Sequence, residues 1–239
     1  MITPLIVGMI FLLAGFVQGL TGFGSALVAI PLLCLVIDIK TAVPLCVLSS
    51  LIITTTMALQ LRKDVDGKKI LPLCLSAIPG IFIGATVLKT VDSTTIRFLL
   101  GIFLVAYSIY SLAVQPKPRK LHPAWGWVAG FSSGAIGAAF SAGGPPTIIY
   151  TMLKNWSKDE TKATLTGFFT VNSFIVAAVH GMTGVTTEQS LLLFLTSAPF
   201  VLAGTLAGSM IYHFLPGKNY VKTVYIFLVL MGGMMILGG

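Results

Sequence analysis

The chain has 239 residues, of which 56% are hydrophobic and only 9% charged, with a mean hydropathy of +0.96. A water-soluble domain carries about a quarter charged residues, so this composition excludes one and predicts a polytopic membrane protein. Fifteen Lys and Arg against seven Asp and Glu give a net charge of +8, but the basic residues fall in short connections, where they orient a membrane chain, and nucleic-acid binding is not indicated.

No Lys or Arg precedes the first apolar run, so no cleavable signal is expected and the chain reads as one transmembrane domain, 1–239. Apolar runs between breakers predict helices over 4–20, 24–37, 41–60, 70–89, 95–114, 124–139, 144–154, 160–180, 189–213 and 220–238. The pairs 4–20/24–37 and 124–139/144–154 contain Gly-rich interruptions and short members. A helix of about 11 residues rises only about 16 Å, half of a hydrocarbon core, so these pairs read as hairpins or broken helices. Basic residues cluster as Arg62, Lys63, Lys68 and Lys69, as Lys117, Arg119 and Lys120, as Lys154, Lys158 and Lys162, and as Lys218 and Lys222. Setting these four connections in the cytoplasm leaves only Lys40, Lys89 and Arg97 outside and predicts extracytoplasmic termini. Cys34, Cys46 and Cys74 lie in apolar runs without metal spacing and are read as packing residues.

Residues 14–31, AGFVQGLTGFGSALVAIP, align without gaps on 129–146, AGFSSGAIGAAFSAGGPP. Farther on, Ser49-Ser50-Leu51-Ile52-Ile53 matches Asn172-Ser173-Phe174-Ile175-Val176, and Ile102-Phe103-Leu104-Val105 recurs as Ile226-Phe227-Leu228-Val229. The order predicts a first repeat over 1–114, a basic cytoplasmic linker over 115–123 and a second repeat over 124–239. The connection 61–69 is strongly basic, whereas its counterpart 181–188 has no Lys or Arg, so the repeats are expected to run in opposite senses across the membrane. The predicted fold is an all-α polytopic membrane protein of two inverted-topology repeats. Each repeat holds a Gly-rich broken helix or hairpin plus three long transmembrane helices. That organisation belongs to secondary transporters, whose substrate site lies near the midplane between the repeats.

The spacing of Gly15/Gly19 and Gly130/Gly134 predicts close helix packing. Gly22-Phe23-Gly24-Ser25 and Ser141-Ala142-Gly143-Gly144-Pro145-Pro146 read instead as functional turns. Ser25 and Ser141 are suited to cap the helices that follow, and Pro145 or Pro146 suits a first turn. Two helix starts inside the bilayer, aimed at each other by inversion, would hold an anion without Lys or Arg. The expected substrate-binding residues in the first half are Gln18, Thr21, Gly22, Gly24 and Ser25. In the second half they are Ser141, Gly143, Gly144 and Thr147, with Ser133 as a further hydroxyl. The middle helices add polar stripes, from which Ser50, Asn172 and Ser173 are assigned to the site. Every Asp and Glu falls in or beside a connection, which disfavours a buried-carboxylate antiporter or a divalent-cation site. His180 is the coupling candidate, with a structural hydrogen-bonding role as the alternative. Neither a metal nor another cofactor is expected, and no phosphate-binding loop offers coupling to ATP.

The segment GLTGFGSALVAIP, its copy GAIGAAFSAGGPP and the duplicated helical layout resemble the sulfite exporter TauE/SafE family over essentially the whole chain. The resemblance implies a multi-pass inner-membrane protein that moves sulfite and organosulfonates such as sulfoacetate, usually outward. The expected function is therefore secondary transport, in the direction of export, by alternating access to a midplane anion site, and not enzymatic. The expected partners are a small inorganic or organic anion, a coupling proton or sodium ion and membrane lipid, and a homo-oligomer is compatible with this. A passive anion channel is the alternative, and an intramembrane serine protease built on Ser25 and His180 is a third reading.

Overall fold

The computed structural model describes residues 2–61, 66–114, 118–119, 121–211 and 219–237. Among these residues there is no strand, and the helices run in the order α1 (Ile2–Thr21), α2 (Ser25–Leu33), α3 (Ile39–Leu61), α4 (Gly67–Thr90), α5 (Ser93–Ala113), α6 (Ala124–Phe140), α7 (Gly144–Met152), α8 (Lys158–Met182), α9 (Glu188–Ile211) and α10 (Asn219–Leu237). Six of them, α1, α3, α4, α5, α8 and α9, are long and apolar enough to cross a membrane. With 20 residues, α1 rises about 30 Å, so the first pair is one full-length helix followed by a short one, not a hairpin of two partial helices. The short helices α2 and α7 have 9 residues each, and α2 stops at Leu33, ahead of the predicted end at 37. The positions 62–65, 115–117, 120 and 212–218, with Arg62, Lys63, Lys117, Lys120 and Lys218 of the expected basic connections, lie outside the described residues.

Where helices begin in polar surroundings, side chains supply the caps. Asp66 accepts from the Lys68 N–H at 2.9 Å and Asp92 from the Thr95 N–H at 2.8 Å. Ser157 and Glu160 form a reciprocal capping box at the start of α8, which satisfies two otherwise orphaned donors. Lys69 reaches Glu160 at 2.7 Å and lies 5.0 Å from the Trp156 ring centre, joining the starts of α4 and α8. By contrast, α2 and α7 have no capping side chain at the N-cap.

Lipid removes the hydrophobic incentive for helices to associate, so close packing has to come from small residues. The closest pairs are α1 with α9 and α4 with α6, and glycines line both seams. A Cβ on Gly19 would overlap the Thr205 carbonyl oxygen, and one on Gly208 would overlap that of Phe16. Across the other seam, Gly134 meets the Ala77 carbonyl and Gly84 that of Ala135. The packing role expected for Gly15/Gly19 and Gly130/Gly134 is thus what these residues have, and their unforeseen partners are Gly204/Gly208 and Gly80/Gly84. A third seam joins α5 to α10, where a Cβ on Gly101 would stand 2.8 Å from the Gly232 carbonyl oxygen. Large apolar side chains such as Phe82, Leu195 and Leu230 point outward, as a lipid surround allows.

The pairing crosses the sequence. Helix α9 packs with α1, helix α4 packs with α6, and α3 meets α8 at the centre. Two buried clusters follow, one built mainly from α1, α2, α3, α5 and α9 and the other mainly from α4, α6 and α8. Cys34 and Cys46 belong to the first and Cys74 to the second, all three as buried thiols.

One detail of the sequence alignment is corrected. The gapless match holds at the packing glycines but fails at the breaks. Helix α1 closes with Gly22 N–H on the Gln18 carbonyl at 2.7 Å, and α6 with Ser141 N–H on the Gly137 carbonyl at 2.8 Å. The second break therefore comes about one turn later than the alignment puts it. The aligned Pro31 and Pro146 sit at different places, one near the end of α2 and the other in the first turn of α7.

Candidate functional site

Both breaks depend on backbone in the left-handed region. Gly22 and Gly24 have φ of 88° and 98°, and Ser141 has φ of 53°, the single non-glycine residue with positive φ among those described. A left-handed conformation costs an L-residue about 1 kcal/mol or more, so Ser141 is held there by its surroundings. The expected capping roles are corrected. Gly24 is the N-cap of α2, with Ser25 as its first helical residue, while Ser141 closes α6 and Gly143 precedes α7. A glycine N-cap has no side chain to offer, and the bond comes from a neighbouring helix. The Gln18 Oε1 accepts from the Ser25 N–H at 3.0 Å and from the Ser25 hydroxyl. In the other half, the Ser133 hydroxyl donates to the Gly143 carbonyl. Gln18 and Ser133, aligned in sequence, both tie a long helix to its break, but with opposite hydrogen-bond polarity.

Between the breaks lies a cavity of about 70 Å³, room for on the order of five waters or one small oxyanion. One wall is Gln18 with Phe23 to Leu27, and the facing wall is Gly137 with Ser141 to Gly144. Val47, Ser50 and Thr54 of α3 and Phe169, Asn172, Ser173 and Val176 of α8 close it at the bundle centre. No charged side chain and no histidine is among the lining residues. The first intrahelical bond of α2 runs from Val28 N–H to the Gly24 carbonyl. The N–H groups of Ala26 and Leu27, both on the wall, therefore have no acceptor within their helix. The two helix starts are unequal, because Pro145 and Pro146 remove two donors from α7. At the centre the Ser50 and Ser173 hydroxyls are hydrogen-bonded at 3.0 Å, and the Thr170 hydroxyl reaches the Thr54 carbonyl at 3.1 Å. Asn172 Oδ1 and Ser49 Oγ are buried without a partner among the described residues.

Of the residues assigned from sequence, Gln18, Gly24, Ser25, Ser50, Ser141, Gly143, Gly144, Asn172 and Ser173 line this one cavity. Thr21, Gly22, Thr147 and His180 do not. The Thr21 hydroxyl bonds the Val17 carbonyl at 2.9 Å and accepts from the Phe23 N–H at 3.1 Å, so it shapes the loop. Gly22 turns the chain beside the Lys162 side chain. Thr147 is fully buried and bonds the Gly144 carbonyl at 2.9 Å. Sequence reasoning missed the walls Val47, Phe169 and Val176. The position of Phe169 one turn before Ser173 was the available signal, since residues four apart share a helix face.

His180 is fully buried, with Nε2 3.0 Å from the Ala138 carbonyl oxygen. A carbonyl only accepts, so Nε2 carries a proton and donates it, while Nδ1 has no partner among the described residues. Ala138 lies in the last turn of α6, where carbonyls lose their intrahelical donor. His180 thereby braces the end of α6 next to its break. The Ser25 hydroxyl is engaged by Gln18 and the His180 ring by Ala138, so these two side chains do not form the nucleophile and base of a protease. His180→Leu is expected to lower the thermal unfolding midpoint in detergent, by the equivalent of about 1–3 kcal/mol for an orphaned buried carbonyl. His180→Gln, which keeps an N–H donor, is expected to retain most of that stability.

A family model described as Sulfite exporter TauE/SafE matches residues 7–235. No curated protein and no solved structure matches the chain.

Proposed function

Because the chain belongs to the sulfite exporter TauE/SafE family, a family of membrane transporters, we propose that it is a secondary transporter that exports a small sulfur oxyanion, sulfite or a short organosulfonate, across the inner membrane. The observation that carries this reading is the uncharged cavity between two helix starts that lack capping side chains at their N-caps. Backbone N–H groups, hydroxyls and the positive ends of two helices favour an anion there. With no ammonium or guanidinium to grip it, the anion can also leave, as a carrier requires.

We read the two halves as inverted repeats with extracytoplasmic termini. The reciprocal exchange of α9 onto α1 and α4 onto α6 supports that reading, as does the distribution of Lys and Arg. The moving bodies in alternating access are then not the sequence halves. They are the bundle of α1, α2, α3 and α9 against the bundle of α4, α6, α7 and α8, because the glycine seams lock α1 to α9 and α4 to α6. The boundary between them runs past Ser50 and Ser173, beside the cavity.

Counterflow in proteoliposomes with sulfite, sulfate, sulfoacetate, isethionate and taurine, with pH and sodium varied separately, tests substrate and coupling together. Saturable exchange of sulfite or a sulfonate is the expected result. An ohmic anion conductance without counterflow would make the protein a channel instead. Asn172→Ala is expected to raise the KM for the exchanged anion about tenfold, the loss of one hydrogen bond to a charged group, and an unchanged KM would remove Asn172 from the site.

A further inference from the structure

The electric character of the cavity is set by backbone. On the wall that runs from Gln18 to Leu27, the free donors include the N–H groups of Ala26 and Leu27 in the first turn of α2. The start of α7 on the facing wall lacks two such donors, at Pro145 and Pro146. Each break also brings up the carboxyl end of a longer helix, α1 at Thr21 and α6 at Phe140, whose dipole opposes that of the short helix starting beside it. A helix start is equivalent to roughly half a positive charge, and no ammonium, guanidinium or imidazole among the lining residues adds to it.

The hydroxyls add less than their number suggests. Ser25 donates to Gln18 Oε1, and Thr54 donates to the Ser50 carbonyl at 2.7 Å. Ser50 and Ser173 are bonded to each other, with the Ser50 hydroxyl also 2.7 Å from the Val47 carbonyl oxygen. Asn172 stands apart: it lines the cavity at 8% exposure, and its Oδ1 is a buried acceptor that no described residue meets. A primary amide suits a ligand that offers acceptors and also a proton. Much of the remaining wall is apolar. Val47 and Val176, one turn from Ser50 and Ser173, belong to one buried cluster, and Phe23 and Phe169 line the cavity as well.

We infer that the cavity takes its anion singly charged, as hydrogensulfite or an alkanesulfonate with an uncharged tail, and rejects the sulfite dianion and sulfate. The penalty for removing an ion from water grows with the square of its charge, whereas its attraction to fixed partial charges grows only in proportion. A second negative charge therefore needs a counter-charge, which this wall does not supply. An anion that can take up a proton removes that charge instead, and the proton then crosses on the substrate. Sulfite does so near neutral pH, each hydrogensulfite giving one proton to water when it ionises. No lining side chain titrates in that range. His180, one turn beyond Val176 on α8, holds the Ala138 carbonyl, and Lys162 lies beside Gly22, off the wall. The inference rests on the anion-transport reading above and adds the charge state of the substrate.

The test is counterflow in proteoliposomes at equal internal and external pH, with sulfite and methanesulfonate as exchanged anions and sulfate as competitor. Methanesulfonate and sulfate are close in size, and methanesulfonate stays a monoanion throughout. Methanesulfonate is expected to exchange with a KM independent of pH. The KM for total sulfite is expected to climb about tenfold per pH unit above the ionisation of hydrogensulfite, as the competent fraction falls. Sulfate in about hundredfold excess is expected to leave methanesulfonate exchange unchanged, the mark of a site that discriminates by charge. With sulfite still exchanged, a pH-independent KM for it, no exchange of methanesulfonate, or competition by sulfate equal to that of methanesulfonate would overturn the inference and leave anion transport standing. KM values that climb together for both anions would assign the titration to the protein and overturn it too. A wild type that exchanges none of these sulfur anions would overturn the transport reading itself.

Discussion

Gly143→Ala is expected to abolish anion exchange while the chain still inserts and reaches the membrane in normal amount. Gly143 has φ of −70°, an ordinary conformation for any residue, so backbone strain is not the cause. Space is the cause. A Cβ there would overlap the Ser133 carbonyl oxygen and come within 2.9 Å of Gly137 Cα. Neither neighbour can withdraw, because α6 is pressed against α4 through Gly130 and Gly134. The α7 start must move instead, and with it Gly144 on the cavity wall. Gly24 is the informative control, since a Cβ there meets nothing within 4 Å but φ is 98°. Gly24→Asn, which tolerates left-handed backbone, is expected to keep more exchange than Gly24→Val, which combines strain with bulk in the cavity. Equal counterflow by Gly143→Ala and the wild type would remove the second break from the site.

The second large effect concerns the seams. Gly84→Leu and Gly208→Leu are each expected to lower stability on the order of 3 kcal/mol, the upper range for forcing volume into a packed interface. The obstacle in each is backbone, the Ala135 carbonyl for Gly84 and the Phe16 carbonyl for Gly208, and rotamer changes cannot relieve it. The buried thiols of Cys34, Cys46 and Cys74 provide the measurement, because a thiol-reactive dye in detergent reports the temperature at which they become accessible. Gly233, whose added Cβ meets nothing within 4 Å, serves as the comparison, and Gly233→Leu is expected to unfold near the wild-type midpoint. A midpoint for Gly84→Leu equal to that of Gly233→Leu would show that the α4–α6 seam does not hold the bundle together.

Helix positions were legible in the sequence because a membrane helix needs an uninterrupted apolar run and water-exposed connections need polar residues. The predicted 70–89 and 160–180 compare with the observed Gly67–Thr90 and Lys158–Met182. The ends differ because Asp66 and Ser157 cap from inside what looked like loop. The two breaks were legible for the same reason in reverse, as glycine and proline interrupt an apolar run with no change in hydropathy. Nine of the residues assigned to the site meet around one cavity, since chain neighbours of a break necessarily surround it. Thr21, Thr147 and His180 were assigned on residue type alone. Type does not reveal whether a hydroxyl or ring faces a cavity or a backbone carbonyl, and all three bond carbonyls.

By itself the sequence determined a helical membrane protein, the location of its two discontinuities and the uncharged, hydroxyl-rich character of its interior. These follow from local composition, which lipid reads directly through length, hydropathy and backbone satisfaction. Only the tertiary structure decided that α9 closes on α1 and α4 on α6, and that Gln18 rather than a serine serves the first short helix. The helix pairings depend on which backbones approach one another, and glycine-lined seams set that approach through contacts distant in sequence, such as Gly84 with Ala135 and Gly19 with Thr205.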